Sequence, residues 1–388
     1  GTWHENGLDV RGTVWMRKDF TVPQSMVGRH AVLYMGTLVD ADEVFVNGVC
    51  VGRTAYQYPP RKYEVPAGVL REGKNVVAVR LTANNGRGEF VKDKPYYLAG
   101  AHGEKIDLTG AWRYKVGKDN DAERRLMDRV GNLDRAGSQL YNGMIYPLRD
   151  YKVKGAIWYQ GETNAGNPAP YASYMSALVD NWRELWQMPS MPFLLVQLPN
   201  FMEKRDRPTD SGWARIREAQ LKASRDIPGT ALAVTYDSGV WNDIHPLDKK
   251  TVARRLFLGA RALAYGEKNV AYTGPLYESM RVDGNRIILT FSHVGAGLTT
   301  ADGKPLRHFA IAGEDGRFVW ADAVIKGKNT VVVSSPDVKV PVAVRYAWSD
   351  NPEDANLRSR DGLLASPFRT DTDAAGSMRK VEITTSAQ

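Results

Sequence analysis

The sequence of 388 residues contains one cysteine, Cys50, and only six histidines. A single cysteine excludes an internal disulfide, and it excludes a zinc site built from several cysteines at fixed spacing. No apolar stretch approaches the roughly 20 residues that a membrane-spanning helix needs. The first five residues have no apolar core of the kind that a signal peptide carries. We therefore expect no metal, no cofactor and no membrane span, while the compartment stays open.

A serine in a nucleophile context is also missing. The chain has no Gly-x-Ser-x-Gly segment, the sharp turn between strand and helix that exposes a nucleophilic serine. Gly137-Ser138-Gln139 is superficially similar, but no strand pattern precedes it. A solvated loop serine is the commoner explanation for Ser138.

The formal net charge is +8, which raises the question of an anionic partner such as nucleic acid or a sialylated glycan. The basic residues are scattered along the chain, and no nucleic-acid-reading motif accompanies them. A solvated surface with a modest basic excess is the simpler interpretation. We therefore expect no nucleic-acid partner.

Residues 10–117 have the pattern of an all-β domain. Short runs of β-branched and aromatic residues stand at 31–35, 43–47 and 76–81, and turn residues such as Asn47-Gly48 and Glu72-Gly73 lie beside them. Regularly spaced short strands are typical of a β-sandwich. We predict a β-sandwich here.

Residues 138–268 change in character. The runs at 155–159, 193–198 and 231–236 are largely continuous and apolar, as parallel strands buried on both faces require. Between the first two, Tyr171, Met175, Val179 and Trp182 recur at helical spacing. Alternating strands and helices predict an α/β layered sheet, whose site lies at the carboxyl ends of the strands.

Residues 272–372 return to a β pattern. Strand-like runs stand at 286–291, 330–333 and 342–346, and Asp283-Gly284-Asn285 and Asp302-Gly303 are typical of turns. We predict a C-terminal β domain over this range.

One candidate site follows the apolar run at 155–159. Its segment is Gln160-Gly161-Glu162-Thr163-Asn164. Gly161 permits a close approach of the backbone to a ligand, and the Asn164 amide is a neutral donor suited to a carbonyl oxygen that becomes an oxyanion. A plain loop, with Asn164 bonding the backbone before a helix near Pro168, explains the segment equally well.

A second candidate site follows the run at 231–236. Its segment is Asn242-Asp243-Ile244-His245-Pro246. A carboxylate two residues before a histidine can bond the imidazole and hold the tautomer that accepts a proton from a serine. For an isolated segment of this kind a helix start is commoner, with Asp243 as the cap and Pro246 in the first turn.

Taken together, these segments resemble sialate O-acetylesterases and related SGNH-type carbohydrate acetylesterases. The matching pieces, in chain order, are Val14-Trp15-Met16-Arg17-Lys18, Val46-Asn47-Gly48, residues 140–145, Ile157-Trp158-Tyr159-Gln160-Gly161-Glu162-Thr163-Asn164-Ala165, Asp243-Ile244-His245-Pro246 with Lys249, residues 344–348 and residues 365–371. Their order and spacing are similar to those of the family over nearly the whole chain.

The resemblance implies a role for each matching site residue. His245 would be the general base and Asp243 the carboxylate that orients it. Asn164 would donate to the oxyanion, and Gly161 and Gln160 would shape the same oxyanion and substrate-binding loop. The implied enzyme is a carboxylic ester hydrolase that removes O-acetyl groups from sugars, sialic acid among them, in the periplasm or outside the cell.

The resemblance also implies an architecture, and the chain departs from it at one place. An SGNH-hydrolase-like (flavodoxin-like) parallel sheet would occupy residues 138–268, and a jelly-roll insert residues 10–117. The family's nucleophilic serine stands in a Gly-Gln-Ser-Asn block ahead of the insert, and nothing here matches that block. We therefore expect an incomplete sheet and an inactive chain, with the serine on an N-terminal segment that is a second fragment or part of a longer precursor, unless the chain is a truncation.

Two other functions compete with the esterase. One is a non-catalytic carbohydrate-binding protein with a degenerate hydrolase domain. The other is a glycosidase that uses Glu162 and Asp243, which would need the two carboxyl groups roughly 5–10 Å apart in a pocket. A serine within hydrogen-bond reach of His245 would favour the esterase over the binding protein.

Overall fold

The structure is a computed structural model that describes residues 1–83, 86–120 and 138–371. These residues form a mixed α/β structure with many strands and few helices. The chain divides into two compact units, Gly1–Gln139 and Leu140–Gln388. Each unit has a hydrophobic core of its own.

The first unit is built from antiparallel strands. Its described strands are β1 (Gly12–Val22), β2 (Ala31–Met35), β3 (Leu38–Val39), β4 (Ala41–Val46), β5 (Val49–Thr54), β6 (Lys62–Val65), β7 (Gly73–Ala83), β8 (Glu89–Phe90), β9 (Tyr96–Gly100), β10 (Lys105–Asp107) and β11 (Arg113–Asp119). One sheet has the order β11-β1-β7-β4-β5, a second has the order β10-β9-β2-β6, and β3 pairs with β8.

Alternation of apolar residues explains how these sheets pack. In β7, Val77, Val79 and Leu81 are fully buried, while the residues between them are partly or largely exposed. Leu33 of β2 and Leu98 of β9 belong to the same core, so the two larger sheets share it. The predicted β character of residues 10–117 is confirmed, and the jelly-roll connection stays a prediction.

The second unit begins with two short helical turns, Tyr141–Ile145 and Tyr146–Leu148, and a parallel sheet of order β12-β13-β14 follows. Its described elements are β12 (Ala156–Trp158), α1 (Tyr171–Leu185), β13 (Phe193–Val196), α2 (Gly212–Asp226), β14 (Thr230–Ala233) and α3 (Lys249–Leu263). Phe193 and Leu195 belong to one core cluster with residues of α1 and α2, and Leu194 and Val196 belong to another with residues of α3. The prediction that this strand is buried on both faces is confirmed for β13.

The same prediction is wrong for β12. Ile157 in the middle of that strand is 70% exposed. The strand lies at the edge of the sheet, and β13 is its only neighbour in the described strand order. An apolar run therefore identified the strand correctly, but it did not show what covers it.

Antiparallel strands follow in the rest of the second unit. They are β15 (Leu276–Asp283), β16 (Arg286–Ser292), β17 (Leu298–Thr300), β18 (Phe309–Ala312), β19 (Val319–Trp320), β20 (Asp322–Lys326), β21 (Thr330–Ser334), β22 (Ala343–Tyr346), β23 (Leu357–Ser359) and β24 (Phe368–Arg369). They form the sheets β15-β16-β21-β20, β19-β18-β22-β24 and β17-β23.

One core joins this β part to the α/β part. Phe193 and Ile216 lie in the same buried cluster as Ile287, Phe309 and Phe368. A boundary between domains at 138–268 and 272–372 stays a prediction, and residue 372 itself lies outside the described residues. Among the residues that the structure describes, no helix has the length and apolar character to cross a membrane.

Candidate active site

The three parallel strands bring their carboxyl ends to one edge of the sheet. In the parallel register Trp158 of β12 lies opposite Leu195, and Val196 of β13 lies opposite Ala233 of β14. The loops that leave these strands therefore start side by side. Gln160 to Asn164 follow β12, and Asp243 and His245 lie in the connection from β14 to α3.

Gly161 lets the first loop turn sharply. Its φ is 151° and its ψ is −13°, a conformation that glycine adopts without a steric penalty. A Cβ at this position would lie 2.7 Å from Nε2 of Gln220 on α2. The N–H of Asn164 donates to the Gly161 carbonyl at 2.9 Å, which opens a short 3₁₀ turn, Glu162–Gly166.

The side chain of Asn164 is held by Gln160. The Gln160 Nε2 donates to the Asn164 Oδ1 at 2.8 Å, so the Asn164 amide keeps its Nδ2 hydrogens for another acceptor. The Gln160 carbonyl accepts hydrogen bonds from Gln220 Nε2 and from the Tyr171 hydroxyl, each at 3.0 Å. The loop is thus fixed from two helices before any ligand arrives.

The second loop carries Asp243 and His245. Asp243 is partly buried and His245 is exposed. One carboxylate oxygen of Asp243 accepts a hydrogen bond from the backbone N–H of His245 at 2.9 Å. Asp248 caps helix α3 by accepting from the Thr251 N–H at 3.0 Å. The alternative in which Asp243 caps that helix and Pro246 lies in its first turn is therefore wrong, because the helix begins later.

Two contacts tie this loop to its neighbours at the same edge. The Lys249 Nζ lies 4.9 Å from the ring centroid of Tyr159, the residue before Gln160. The Gly239 N–H donates to the Asn200 Oδ1 at 2.7 Å. A Cβ on Gly239 would lie 2.0 Å from the Asn200 carbonyl oxygen, so only glycine permits this approach. The structure thus brings both predicted loops to one edge of the sheet.

Helix α2 contributes two residues that the sequence patterns did not identify. Arg217 is fully buried, and its guanidinium donates to the carbonyls of Leu198, Pro199, Ser349 and Asp350 at 2.6–3.0 Å. Burial lowers the pKa of Arg217. Gln220, one turn further on, is 1% exposed. A long polar residue on the apolar face of a helix is the signal that could have found both.

Other possible chemistry is sparse in the described part of the chain. No group of three or more His, Cys, Asp or Glu side chains among the described residues is arranged to hold a metal ion. Cys50 is exposed and unbridged. A cavity of about 290 Å³ lies beside β14 and is lined by residues that include Leu221, Tyr272 and Ser292, with none of the candidate site residues among them.

The chain is similar to known acetylesterases in sequence. Residues 130–253 match the family model described as carbohydrate esterase, sialic acid-specific acetylesterase. The chain is 36% identical over 239 residues to sialate O-acetylesterase of Homo sapiens, covering 55% of this chain and 44% of that protein. It is 32% identical over 234 residues to the Mus musculus enzyme of the same name, covering 55% and 43%. The chain therefore spans less than half the length of these relatives.

A solved structure gives a similarity over a longer range. A carbohydrate acetylesterase from Xanthomonas citri is 29% identical to this chain with a TM-score of 0.58, and the match covers 91% of this chain and 100% of that one. The chain is thus similar to sialate O-acetylesterases and to a carbohydrate acetylesterase, and residues 130–253 are the part that matches the model of sialic acid-specific acetylesterases.

Proposed function

We propose that this chain supplies most of the active site of a carbohydrate O-acetylesterase whose substrates include O-acetylated sialic acid. The observation that carries the proposal is the pair of loops at the carboxyl edge of the sheet. One loop holds the Asn164 amide through Gln160, and the other holds Asp243 and His245. A neutral amide donor and a histidine beside a carboxylate are the groups that acyl transfer to serine needs.

In the proposed reaction, a serine Oγ attacks the acetyl carbonyl carbon while His245 accepts the hydroxyl proton. The carbonyl oxygen becomes an oxyanion, and Asn164 Nδ2 donates a hydrogen bond to it. The bond from the acetyl carbon to the sugar oxygen then breaks, and His245 returns the proton to that oxygen. Water, deprotonated by His245, then attacks the acetyl-serine. The bond from the acetyl carbon to the serine Oγ breaks, His245 returns the proton to that Oγ, and acetic acid leaves and ionises to acetate. Asp243 orients the imidazole, and Gly161 shapes the oxyanion loop.

We infer that the nucleophilic serine lies on another segment of the same hydrolase domain. Two serines that follow strands β13 and β14 are already used. Ser211 accepts from the Ala214 N–H at the start of α2, and Ser238 donates to the Thr235 carbonyl, each at 2.9 Å. These bonds support a nucleophile from outside this chain.

The outer edge of β12 supports a place for that segment. Ala156 donates its N–H to Pro192 on the β13 side, so the alternation along a strand turns the backbone groups of Ile157 toward the open edge. The stretch just before β12 carries large apolar side chains that are 52–73% exposed: Leu140, Met144, Leu148 and Tyr151. In β14, the other outer strand, Ala231 and Leu232 are only 6% and 8% exposed. A parallel strand from the missing segment would pair with Ile157 and cover this surface.

We also propose the finer architecture that the family resemblance implies. Residues 10–117 would form a jelly-roll insert, residues 138–268 the C-terminal part of an SGNH-type hydrolase sheet, and residues 272–372 a β domain. The enzyme would act in the periplasm or outside the cell, where O-acetylated glycans are met.

The role of His245 is tested by replacing it with alanine in the complete enzyme. We expect kcat/KM for an aryl acetate to fall by about 10⁴-fold or more, because the general base is lost. Stability should be unchanged, because the side chain is exposed. His293→Asn, at an exposed histidine between β16 and β17 whose positive φ asparagine tolerates, is the control and should retain full activity. Near-normal turnover by His245→Ala would remove the histidine from the mechanism.

The origin of the serine is tested separately by assaying this chain alone. We expect no hydrolysis of an aryl acetate above that of His245→Ala, and mass spectrometry of active natural material should reveal the additional segment. A lone 43.2 kDa chain with full esterase activity would place the nucleophile among its own serines, and would leave the assignment of His245 intact.

A further inference from the structure

The side-chain amide of Gln220 forms hydrogen bonds to two loops, the one that follows β12 and the one that follows β13. Its Oε1 accepts from the Leu198 N–H at 2.9 Å, and its Nε2 donates to the Gln160 carbonyl at 3.0 Å. Leu198 follows β13 and Gln160 follows β12. Only a side chain with an acceptor and a donor on the same planar group makes both bonds, and an amide is such a group.

Burial and close packing restrict the Gln220 amide to one position. Gln220 is 1% exposed, and its Nε2 lies where a Cβ on Gly161 would make a 2.7 Å contact. Buried polar groups that lose a partner are costly, so the side chain and the two backbone groups hold one another in place. The backbone of Gln160 is thereby fixed relative to β13.

The bonds continue from that backbone to the candidate oxyanion donor. The Gln160 Nε2 donates to the Asn164 Oδ1 at 2.8 Å. An amide whose oxygen is engaged in this way presents its Nδ2 hydrogens in a direction set by the donor. The direction of the Asn164 donor therefore depends on where Gln220 holds Gln160.

We propose that Gln220 is a positioning residue that sets, through Gln160, the direction of the Asn164 side-chain donor. The inference rests on the proposed function only in assigning that donor to an oxyanion. The preorganisation of such donors is a large part of the catalysis of acyl transfer, and small misplacements are costly.

The chain offers a matched control in Gln197. This glutamine is 0% exposed, and its Nε2 donates to the Arg217 carbonyl at 2.9 Å and to Ser366 Oγ at 3.0 Å. Replacing either glutamine by methionine removes buried amide hydrogen bonds at nearly constant volume. The Gln220 amide bonds to Gln160, whereas the amide bonds of Gln197 go to Arg217 and Ser366.

The first test measures the NMR signals of the Asn164 side-chain amide and does not depend on enzymatic activity. In ¹H–¹⁵N spectra of this chain, with the Asn164 side-chain signals assigned through Asn164→Asp, we expect Gln220→Met to shift that signal pair. Gln197→Met should leave the pair where it is in the wild type. Asn164 signals that stay fixed in Gln220→Met, or that move equally in both variants, would overturn the positioning role.

The second test measures kcat and KM in the complete enzyme. Gln220→Met should lower kcat for an aryl acetate by roughly 10- to 100-fold with KM within about twofold, because the donor acts mainly in the transition state. Gln197→Met should stay within about twofold in both constants. Equal losses in the two variants would mean a structural role only.

A third variant covers the case in which Gln220→Met does not fold. Gln220→Asn keeps a buried amide but is one methylene shorter, so it cannot bond both Leu198 and Gln160, and the same shift of the Asn164 signals is expected. Failure of the esterase proposal would look different. The Asn164 signals would still respond to Gln220, but the complete enzyme would show no acetyl-ester hydrolysis that depends on His245.

Discussion

Gly161 combines an unusual backbone conformation with a close contact, since its φ is 151° and a Cβ would lie 2.7 Å from Gln220 Nε2. We predict that Gly161→Ala lowers the free energy of unfolding by about 1–3 kcal/mol, the cost of a side chain held in such a region. Gly166→Ala, in the same 3₁₀ turn, is the control, because a Cβ there meets nothing within 4 Å. Urea unfolding of both variants measures the difference, and equal stabilities would contradict the prediction.

His308 lies just before β18, and its burial leads us to predict that the free energy of unfolding depends on pH. Burial lowers its pKa from the ordinary 6.5 to about 4, and Lys204 and Arg307 act in the same direction while Asp354 opposes them. The unfolded chain therefore binds this proton more readily than the folded chain. The neutral imidazole contributes stability above about pH 6.5, and this contribution, up to about 3 kcal/mol, is lost as the pH falls toward 4.

The prediction is checked by denaturation of His308→Asn and of the wild type between pH 4 and pH 7. The stability of the variant relative to wild type should be poorest at pH 7 and should recover toward pH 4. His293→Asn is the control, because His293 is exposed and has, like His308, a positive φ that asparagine tolerates. A pH-independent difference for His308→Asn would refute the assignment.

The candidate site residues differ in how far the sequence predicted them. Asn164 and His245 stand in the connections that follow apolar runs, so the start of both connections at one edge follows from the rules of parallel sheets. Gln220 and Arg217 could not be predicted in the same way. Their partners are backbone groups of distant loops, and a sequence pattern contains no record of which carbonyl a buried guanidinium or amide will meet.

At the scale of elements, the two central residues of neighbouring strands offer a direct comparison. Ile157 of β12 and Leu194 of β13 lie opposite each other, yet Ile157 is 70% exposed and Leu194 is 5% exposed. We predict that Ile157→Ala changes the free energy of unfolding of this chain by no more than about 0.5 kcal/mol, while Leu194→Ala costs about 2–5 kcal/mol. Chemical denaturation measures both.

The Ile157→Ala variant also tests the proposal that a further segment covers β12. In an enzyme completed by its further segment, Ile157→Ala should become clearly destabilising, because the side chain is then buried. A value that stays below about 0.5 kcal/mol in the complete enzyme would show that the added segment packs elsewhere.

Local patterns predicted helix α1 and nine of the 24 strands that the structure describes. The run at 31–35 is β2, the run at 286–291 lies within β16, and the helical spacing that begins at Tyr171 is α1. Helix α2 was missed, because Arg217 and Gln220 interrupt the apolar repeat on its buried face. The exposure of β12 was missed because an apolar run reports that a strand needs cover without identifying what supplies it.

At the scale of the molecule, the two units should unfold separately. The core of the first unit uses residues between Trp3 and Leu108, whereas the core of the second joins the parallel sheet to the strands after residue 272. We predict that a fragment of residues 1–120 folds alone, and that a fragment of residues 140–270 does not, because Phe193 and Ile216 lose the apolar residues of the later strands. Circular dichroism during thermal unfolding distinguishes the two, and a cooperative transition in the second fragment would contradict the shared core.

The long reach of contacts in the second unit bears on how the protein is made. Gln197 bonds to Ser366 across 169 residues, and Glu218 pairs with Arg369 across 151. A ribosome that adds roughly 5–20 residues per second takes about 10–30 s to cover such a distance. The first unit is complete by then and can fold during translation. The apolar side chains of the parallel strands stay uncovered until the last strands have been synthesised. Nascent chains of this protein should therefore depend on chaperones mainly during synthesis of the second unit.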